Sequence, residues 1–90
     1  MNDLNSVIIT GRAVTDWPKG NYMLVVVHKC WKENGKMQEK NIAVPVLIKG
    51  EKLMKTAKNI KDGTQVRVVG KLDFDEFFLF IDAEQLEVKL

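Results

Sequence analysis

Alternation of apolar and polar residues along most of the chain predicts an all-β protein. Between residues 64 and 74, Val66 and Val68 alternate with Gln65 and Arg67, which is the period of a strand that buries one face. Four other segments are similarly rich in β-branched and apolar residues and are bounded by turn residues. We therefore predict five strands, at residues 5–14, 22–32, 41–50, 64–74 and 77–88.

Short polar stretches separate these strands. Asp, Pro, Gly and Asn cluster at residues 15–21, which predicts a turn after the first strand. Asn34-Gly35 is a strong signal for a tight hairpin turn between the second and third strands. The acidic stretch "DFDE" at residues 73–76 predicts a tight turn between the last two strands.

Residues 51–60 change the period from that of a strand to that of a helix. Leu53, Ala57 and Ile60 are spaced i, i+4 and i+7, which places them on one face of a short helix. A small sheet of five strands removes its exposed edges by closing into a barrel, and a single helix between the third and fourth strands covers one end. We predict a five-stranded OB-fold barrel, in which Gly11 and Gly70 mark the bends that closure needs.

Length and composition suit one domain. The chain of 90 residues is expected to form a single OB-fold domain at residues 1–90. No apolar run approaches the roughly 20 residues that cross a bilayer, and the opening residues lack the basic region of a signal peptide. Cys30 is the only cysteine, which excludes an internal disulfide. We expect a cytoplasmic protein with no membrane partner.

The net charge of +2 hides an uneven distribution. Residues 29–61 contain nine lysines and three acidic residues, whereas residues 73–87 contain six acidic residues and no lysine or arginine. The first region would attract a polyanion such as a nucleic acid. A solvated lysine-rich surface is the simpler alternative.

Trp31 lies between two lysines, close to the predicted hairpin turn. Binding a single strand without reading its sequence requires cations along the phosphates and flat rings that stack on bases, and this segment supplies both. We predict that Trp31 stacks on a base, with packing on the barrel rim or on a second subunit as the alternative. The lysines predicted to bind phosphates here are Lys29, Lys32, Lys36 and Lys40.

Other aromatic and basic residues are candidates for the same surface. Arg12 and Lys71 neighbour the two bending glycines, Phe74 offers a second ring beside the acidic turn, and Trp17 either stacks or covers the barrel end. Ordinary solvated charge is the alternative for the cations. The full set of these further candidates is Arg12, Trp17, Lys49, Arg67, Lys71 and Phe74. The phenylalanines of the last strand are predicted to be mostly core: Phe77, Phe78 and Phe80.

No residue pattern indicates catalysis. His28 and Cys30 share a strand face, but two ligands do not make a zinc site, which needs three or four. The single histidine has no evident nucleophile beside it, and neither a carboxylate pair with a partner base nor a glycine-rich phosphate loop is present. We therefore predict a binding protein rather than an enzyme, without catalytic residues, metal or cofactor.

Several motifs resemble the bacterial single-stranded-DNA-binding protein (SSB) family. "NSVIITGR" at residues 5–12 is similar to that family's first strand, "IKDGTQVRVVGKL" at 60–72 to its fourth-strand segment, and "DAEQLEV" at 82–88 to its final strand. The resemblance implies an OB-fold, single-stranded DNA as partner in replication or recombination, and assembly into homodimers or homotetramers. "VPVLIKGE" at 44–51 also resembles PriB, a dimeric SSB-like primosomal protein of replication restart.

Three functions remain as alternatives. One is sequence-independent binding of single-stranded DNA, the second is a PriB-like adapter that mainly contacts other replication or recombination proteins, and the third is an RNA-binding OB module. The acidic turn at 73–76 favours the adapter because it repels phosphates. The tryptophan between lysines favours DNA binding.

Overall fold

The computed structural model describes residues 4–89, except for the side chains of residues 15–19. Its elements are β1 (Val7–Lys19), β2 (Tyr22–Glu33), β3 (Lys36–Leu47), α1 (Glu51–Lys58), β4 (Gln65–Phe74) and β5 (Leu79–Val88). The predicted order, five strands with one short helix between the third and fourth, is confirmed.

Two strands are longer than the sequence pattern indicates. β1 continues through most of the predicted turn and reverses only at Gly20, whose φ of 56° is the left-handed conformation that glycine adopts readily. β3 begins directly after Asn34 and Gly35, which have φ values of 51° and 79°. Positive φ at both central residues is the geometry of a type I′ hairpin turn, so the two strands pair from the turn onward.

The five strands close into a barrel in the order β1-β2-β3-β5-β4. β1 pairs with β4 through residues 7–12 and with β2 from Arg12 onward, so it changes partner near Gly11. The ring is completed by a short parallel contact, in which Val46 and Leu47 of β3 pair with Ile81 and Asp82 of β5.

The two strand glycines lie where backbones approach closely. A Cβ atom on Gly11 would overlap the carbonyl oxygen of Val26, and one on Gly70 would overlap the carbonyl oxygen of Asp82. The β4–β5 register also shifts at Gly70, which is the mark of a bulge. Gly70 therefore provides both a bulge and a close backbone contact on the wall of the barrel.

The core fills the barrel and is closed at one end by the helix. Ala57 and Ile60 are buried against it and Leu53 packs partly on it, as the helical spacing predicts. Burying one such aliphatic side chain stabilises the fold by about 1.5–3 kcal/mol. The largest side chains with less than 2% exposure form its centre, six of them on strands and one, Ile48, directly after β3: Met23, Val25, Val46, Ile48, Val66, Val68 and Ile81.

The helix and the turns of the β2–β3 and β4–β5 hairpins lie at opposite ends of the barrel. β3 and β5 run parallel, so the turns that precede them, at residues 34–35 and 75–78, point toward the same end. α1 follows β3 and lies at the other end. No helix in the described part of the chain is long and apolar enough to cross a membrane.

Candidate nucleic-acid interface

The β2–β3 hairpin extends well beyond the barrel. β1 pairs with β2 only as far as Val26, and β5 pairs with β3 only at Val46 and Leu47. Within the described residues 4–89, residues 27–33 and 36–42 therefore pair only with each other, and we call this segment the β2–β3 ribbon. The ribbon explains why the radius of gyration is 14.2 Å, above the value of about 12 Å expected for a compact chain of this length.

Strand alternation divides the ribbon into two faces. Met23 and Val25 point into the core, so the residues that follow them at intervals of two, Lys29 and Trp31, continue that inward side beyond the barrel. Their cross-strand partners lie on the same face. We call this the Trp31 face, and beyond Val27 and Ile42 at the barrel its members are Lys29, Trp31, Glu33, Lys36, Gln38 and Lys40.

Trp31 lies between two ammonium groups on this face. The Nζ atoms of Lys29 and Lys40 are each 5.7 Å from the centroid of the Trp31 ring. Lys40 reaches the ring from β3 because it pairs with Lys29, which precedes Trp31 by two residues. Both distances are within the range of a cation–π contact. The indole is half-buried and both lysines are exposed, so the ring is oriented by its neighbours while part of it stays open to solvent.

Lys36 joins the Trp31 face and Lys32 does not. Lys36 pairs with Glu33, which lies on the same side of the ribbon as Trp31. Lys32 pairs with Met37 on the opposite face. Of the four lysines predicted around Trp31, the structure thus brings three together with the ring, and Lys40 rather than Lys32 is its second close cation.

Arg12 lies with the opposite face of the ribbon. It pairs with Val26 and Gln65 on the outside of the barrel and lines an open groove beside His28. The groove is formed by β1, β2 and the start of β4. Arg12 is exposed there, but it does not share a face with Trp31.

The remaining predicted cations lie near carboxylates. The Arg67 Nη1 atom is 3.8 Å from Oε1 of Glu87. The Lys49 Nζ atom is 3.4 Å from Oδ2 of Asp82, and Lys71 pairs with the same aspartate across the β4–β5 ladder. Mostly exposed ion pairs of this kind contribute little to stability. They do lower the local positive charge, so these three cations offer less attraction to phosphates than the lysines beside Trp31.

Phe74 lies on the β4–β5 hairpin, where several large apolar side chains are exposed. Phe74 is 71% exposed, Phe77 79% and Leu79 61%. The prediction that Phe77 belongs to the core is wrong, because it lies in the turn beyond the end of the barrel. Acidic side chains surround this apolar tip: Asp73, Asp75 and Glu76.

An aromatic cluster supports the base of the same hairpin. The ring of Tyr22 makes edge-to-face contacts with Phe78 and Phe80, with centroid distances of 5.1 and 5.3 Å. Phe80 is buried and Phe78 half-buried, so the predicted packing role holds for these two rings. One carboxylate oxygen of Asp75 accepts hydrogen bonds from the backbone amides of Phe77 and Phe78, which fixes the turn.

Tyr22 also links the cluster to the acidic turn. Its hydroxyl donates to the second carboxylate oxygen of Asp75 at 3.4 Å. Burial of the phenol raises the pKa of Tyr22 above its ordinary value of 10.0, and the negative charge of Asp75 and the hydrogen bond to it act in the same direction. The neutral phenol is therefore the form that anchors the hairpin.

The side chain of Trp17 lies outside the described residues, so its predicted role stays a prediction. On the face of the ribbon opposite Trp31, strand pairing adds Glu39 to the two possible ligands His28 and Cys30. Glu39 was not among the residues predicted from the sequence, although counting residues outward from the Asn34-Gly35 turn gives its pairing with Cys30.

Comparison with solved structures supports the assignment of the barrel fold. The fold is similar to that in a structure of Plasmodium falciparum SSB in complex with ssDNA, with a TM-score of 0.79 over 99% of this chain and 97% of that chain. The chain has an OB-fold. The two sequences are 13% identical, so the similarity concerns the fold. No family model matches the sequence, and no curated protein matches it in sequence.

Proposed function

We propose that this SSB-like protein binds single-stranded DNA without sequence preference. Trp31 stacks on a base, and Lys29, Lys40 and Lys36 lie along the phosphates that flank it. The observation that carries the proposal is the Trp31 ring with two lysine ammonium groups 5.7 Å from its centroid on one face of a projecting ribbon.

The arrangement supplies both parts of single-strand binding. Stacking on an aromatic ring contributes about 1–3 kcal/mol per base and tolerates every base, because each base has a π face. Cations beside the ring attract the backbone on either side of the stacked base. A ribbon that is free on both edges gives a strand access to this face from outside the barrel. That the structural relative was solved with ssDNA supports the same class of ligand.

The proposal includes self-association and a role in replication, recombination or replication restart in the cytoplasm, without catalysis. β1 exposes Ile8 at 58% on its outer side, and Leu4 before it is 94% exposed. Such side chains on the outside of a small barrel support pairing of two copies around a twofold axis, as a homodimer or as half of a homotetramer.

One observation favours a second function. The exposed Phe74, Phe77 and Leu79 form an apolar tip within an acidic hairpin, which is better suited to a basic protein than to a phosphate backbone. A PriB-like adapter that contacts replication proteins through this hairpin is therefore the alternative to DNA binding as the main activity.

A fluorescence titration with poly-dT tests the proposal. We expect strong quenching by poly-dT, weaker binding of a duplex of equal length, and a clear loss of affinity between about 50 and 200 mM salt. Trp17→Phe should retain most of the quenching and Trp31→Phe should lose it, because only Trp31 is proposed to stack. Absence of quenching at low salt, or quenching carried entirely by Trp17, would contradict the stacking role of Trp31.

A further inference from the structure

The face of the β2–β3 ribbon opposite Trp31 brings together a histidine, a cysteine and a glutamate. His28 and Cys30 lie two residues apart on β2, and Glu39 and Asn41 face them from β3 because Cys30 pairs with Glu39 and His28 with Asn41. All four side chains are exposed. The cluster plays no part in the proposed binding of DNA.

The three possible ligand atoms lie at distances that suit one metal ion. The Cys30 Sγ atom is 3.1 Å from His28 Nε2, and Nε2 is 3.5 Å from Oε2 of Glu39. All three atoms lie within 4.8 Å of one another. Bond lengths of about 2.0–2.3 Å around a tetrahedral zinc ion place its ligand atoms roughly 3.3–3.6 Å apart. Small rotations of exposed side chains are therefore enough to form the site.

Asn41 orients the histidine for this role. Its Oδ1 atom is 2.9 Å from Nδ1 of His28, and because an amide oxygen can only accept a hydrogen bond, the Nδ1–H group donates it. The lone pair of Nε2 then points toward Cys30 and Glu39. A metal-binding histidine usually donates its other ring N–H to an oxygen in this way, which fixes the tautomer and the plane of the ring.

The charges of the cluster also suit a dication. A deprotonated thiol and a carboxylate together offset the two positive charges of Zn²⁺, and the neutral imidazole adds the third ligand. Without metal, the Cys30 thiol can donate to Nε2, and zinc would replace that proton. Solvent exposure leaves the fourth tetrahedral position open to water.

We propose that His28, Cys30 and Glu39 form a zinc site on the ribbon, with Asn41 as a positioning residue. The ion would join β2 to β3 on the face opposite Trp31 and stabilise the ribbon by binding only the paired strands. Binding releases the thiol proton, so the affinity should rise with pH.

Metal titration of the reduced full-length protein tests this site. We expect one Zn²⁺ per chain with a micromolar or lower dissociation constant in competition with a chromogenic chelator. Co²⁺ should give a thiolate-to-metal charge-transfer band and the intense visible bands of tetrahedral coordination. Zn²⁺ should raise the unfolding temperature of the wild type.

Substitutions distinguish the ligands from nearby residues. Cys30→Ser should abolish the charge-transfer band, and Glu39→Gln should weaken Zn²⁺ binding by about tenfold or more. Asn41→Ala should weaken binding by about tenfold while keeping the charge-transfer band, because it acts through His28. Glu33→Gln is the matched control, since Glu33 lies on the Trp31 face of the same ribbon, and it should leave the affinity for Zn²⁺ unchanged.

Three results would overturn the proposal. They are millimolar binding, equal affinity in the wild type and in Cys30→Ser, or one ion per two chains, which would mean a site shared between copies. Circular dichroism and metal-free unfolding temperatures of the variants establish that each is folded before metal is added.

Discussion

The two projecting hairpins of the barrel are built alike and carry opposite charge. Each is a two-stranded ribbon whose turn points toward the same end of the barrel, and each exposes aromatic surface. The β2–β3 ribbon places lysines beside Trp31, whereas the β4–β5 hairpin places aspartate and glutamate around Phe74 and Phe77.

This difference indicates that a ring alone does not make a nucleic-acid surface. Phe74 is more exposed than Trp31, and exposure by itself would favour it as a stacking platform. A stacked base carries its phosphates with it into the site, and the carboxylates beside Phe74 repel them. Placing a DNA strand there therefore costs free energy. The lysines beside Trp31 have the opposite effect, so we expect single-stranded DNA on the β2–β3 ribbon.

The largest expected effect is that of removing the Trp31 ring. Trp31→Ala should weaken binding of single-stranded DNA by about tenfold or more, because one stacking contact is lost. Phe74→Ala is the matched variant on the other hairpin and should change the affinity by about threefold or less. Fluorescence anisotropy with a labelled dT oligomer measures both. Equal losses in the two variants would remove the distinction between the hairpins.

The next effect concerns the cations beside Trp31. Replacing Lys29 and Lys40 together by Gln should reduce the slope of log affinity against log salt by about 1.4, since each phosphate contact on a single strand contributes roughly 0.7. Lys52→Gln with Lys58→Gln removes the same charge from α1, at the other end of the barrel, and should leave the slope nearly unchanged. If both pairs reduce the slope equally, the lysines act through net charge and the local arrangement is not responsible.

A smaller effect is expected from neutralising the acidic hairpin. Asp73→Asn with Glu76→Gln should raise the affinity for single-stranded DNA by about twofold at low salt, with the gain lost at high salt where charges are screened. Asp75 is left in place because it accepts the amide hydrogen bonds that hold the turn. An unchanged affinity at low salt would mean that bound DNA stays far from this hairpin.

The smallest effect is a pH dependence of stability at the base of the β4–β5 hairpin. The pKa of Tyr22 is raised by burial and then by Asp75. The neutral phenol therefore contributes fully to the folding free energy below pH 10.0, the ordinary pKa, and this contribution is lost as the pH rises through the folded-state pKa. Urea unfolding between about pH 9 and 11 should show that the free energy of unfolding declines more steeply with pH for the wild type than for Tyr22→Phe. Identical declines would exclude the hydroxyl of Tyr22 as their source.

Much of the fold follows from local patterns in the sequence. Alternation predicts the strands, Asn34-Gly35 predicts the hairpin turn and the i, i+4, i+7 spacing predicts the buried face of α1, because each depends on a few neighbouring residues. The extension of β1 to Lys19 was not predicted, since it depends on pairing with β2 across a register shift.

The candidate site depends on how β2 and β3 pair, and patterns of neighbouring residues predict that pairing only in part. Sequence proximity suggested Lys32 as the neighbour of Trp31, but alternation turns it to the other face and cross-strand pairing brings Lys40 instead. The same pairing places Glu39 beside Cys30. Phe77 was assigned to the core because the sequence did not show that it lies in the turn, two residues before β5 begins at Leu79.

Photo-cross-linking to a dT oligomer that contains 5-iodouracil is the most direct test of which hairpin holds the DNA. Ultraviolet irradiation joins the modified base to an aromatic side chain in contact with it, and mass spectrometry of the digested product locates that residue. We expect the main cross-link on Trp31, with its yield falling as salt rises. A main cross-link on Phe74 or Phe77 would contradict the assignment of DNA binding to the β2–β3 ribbon.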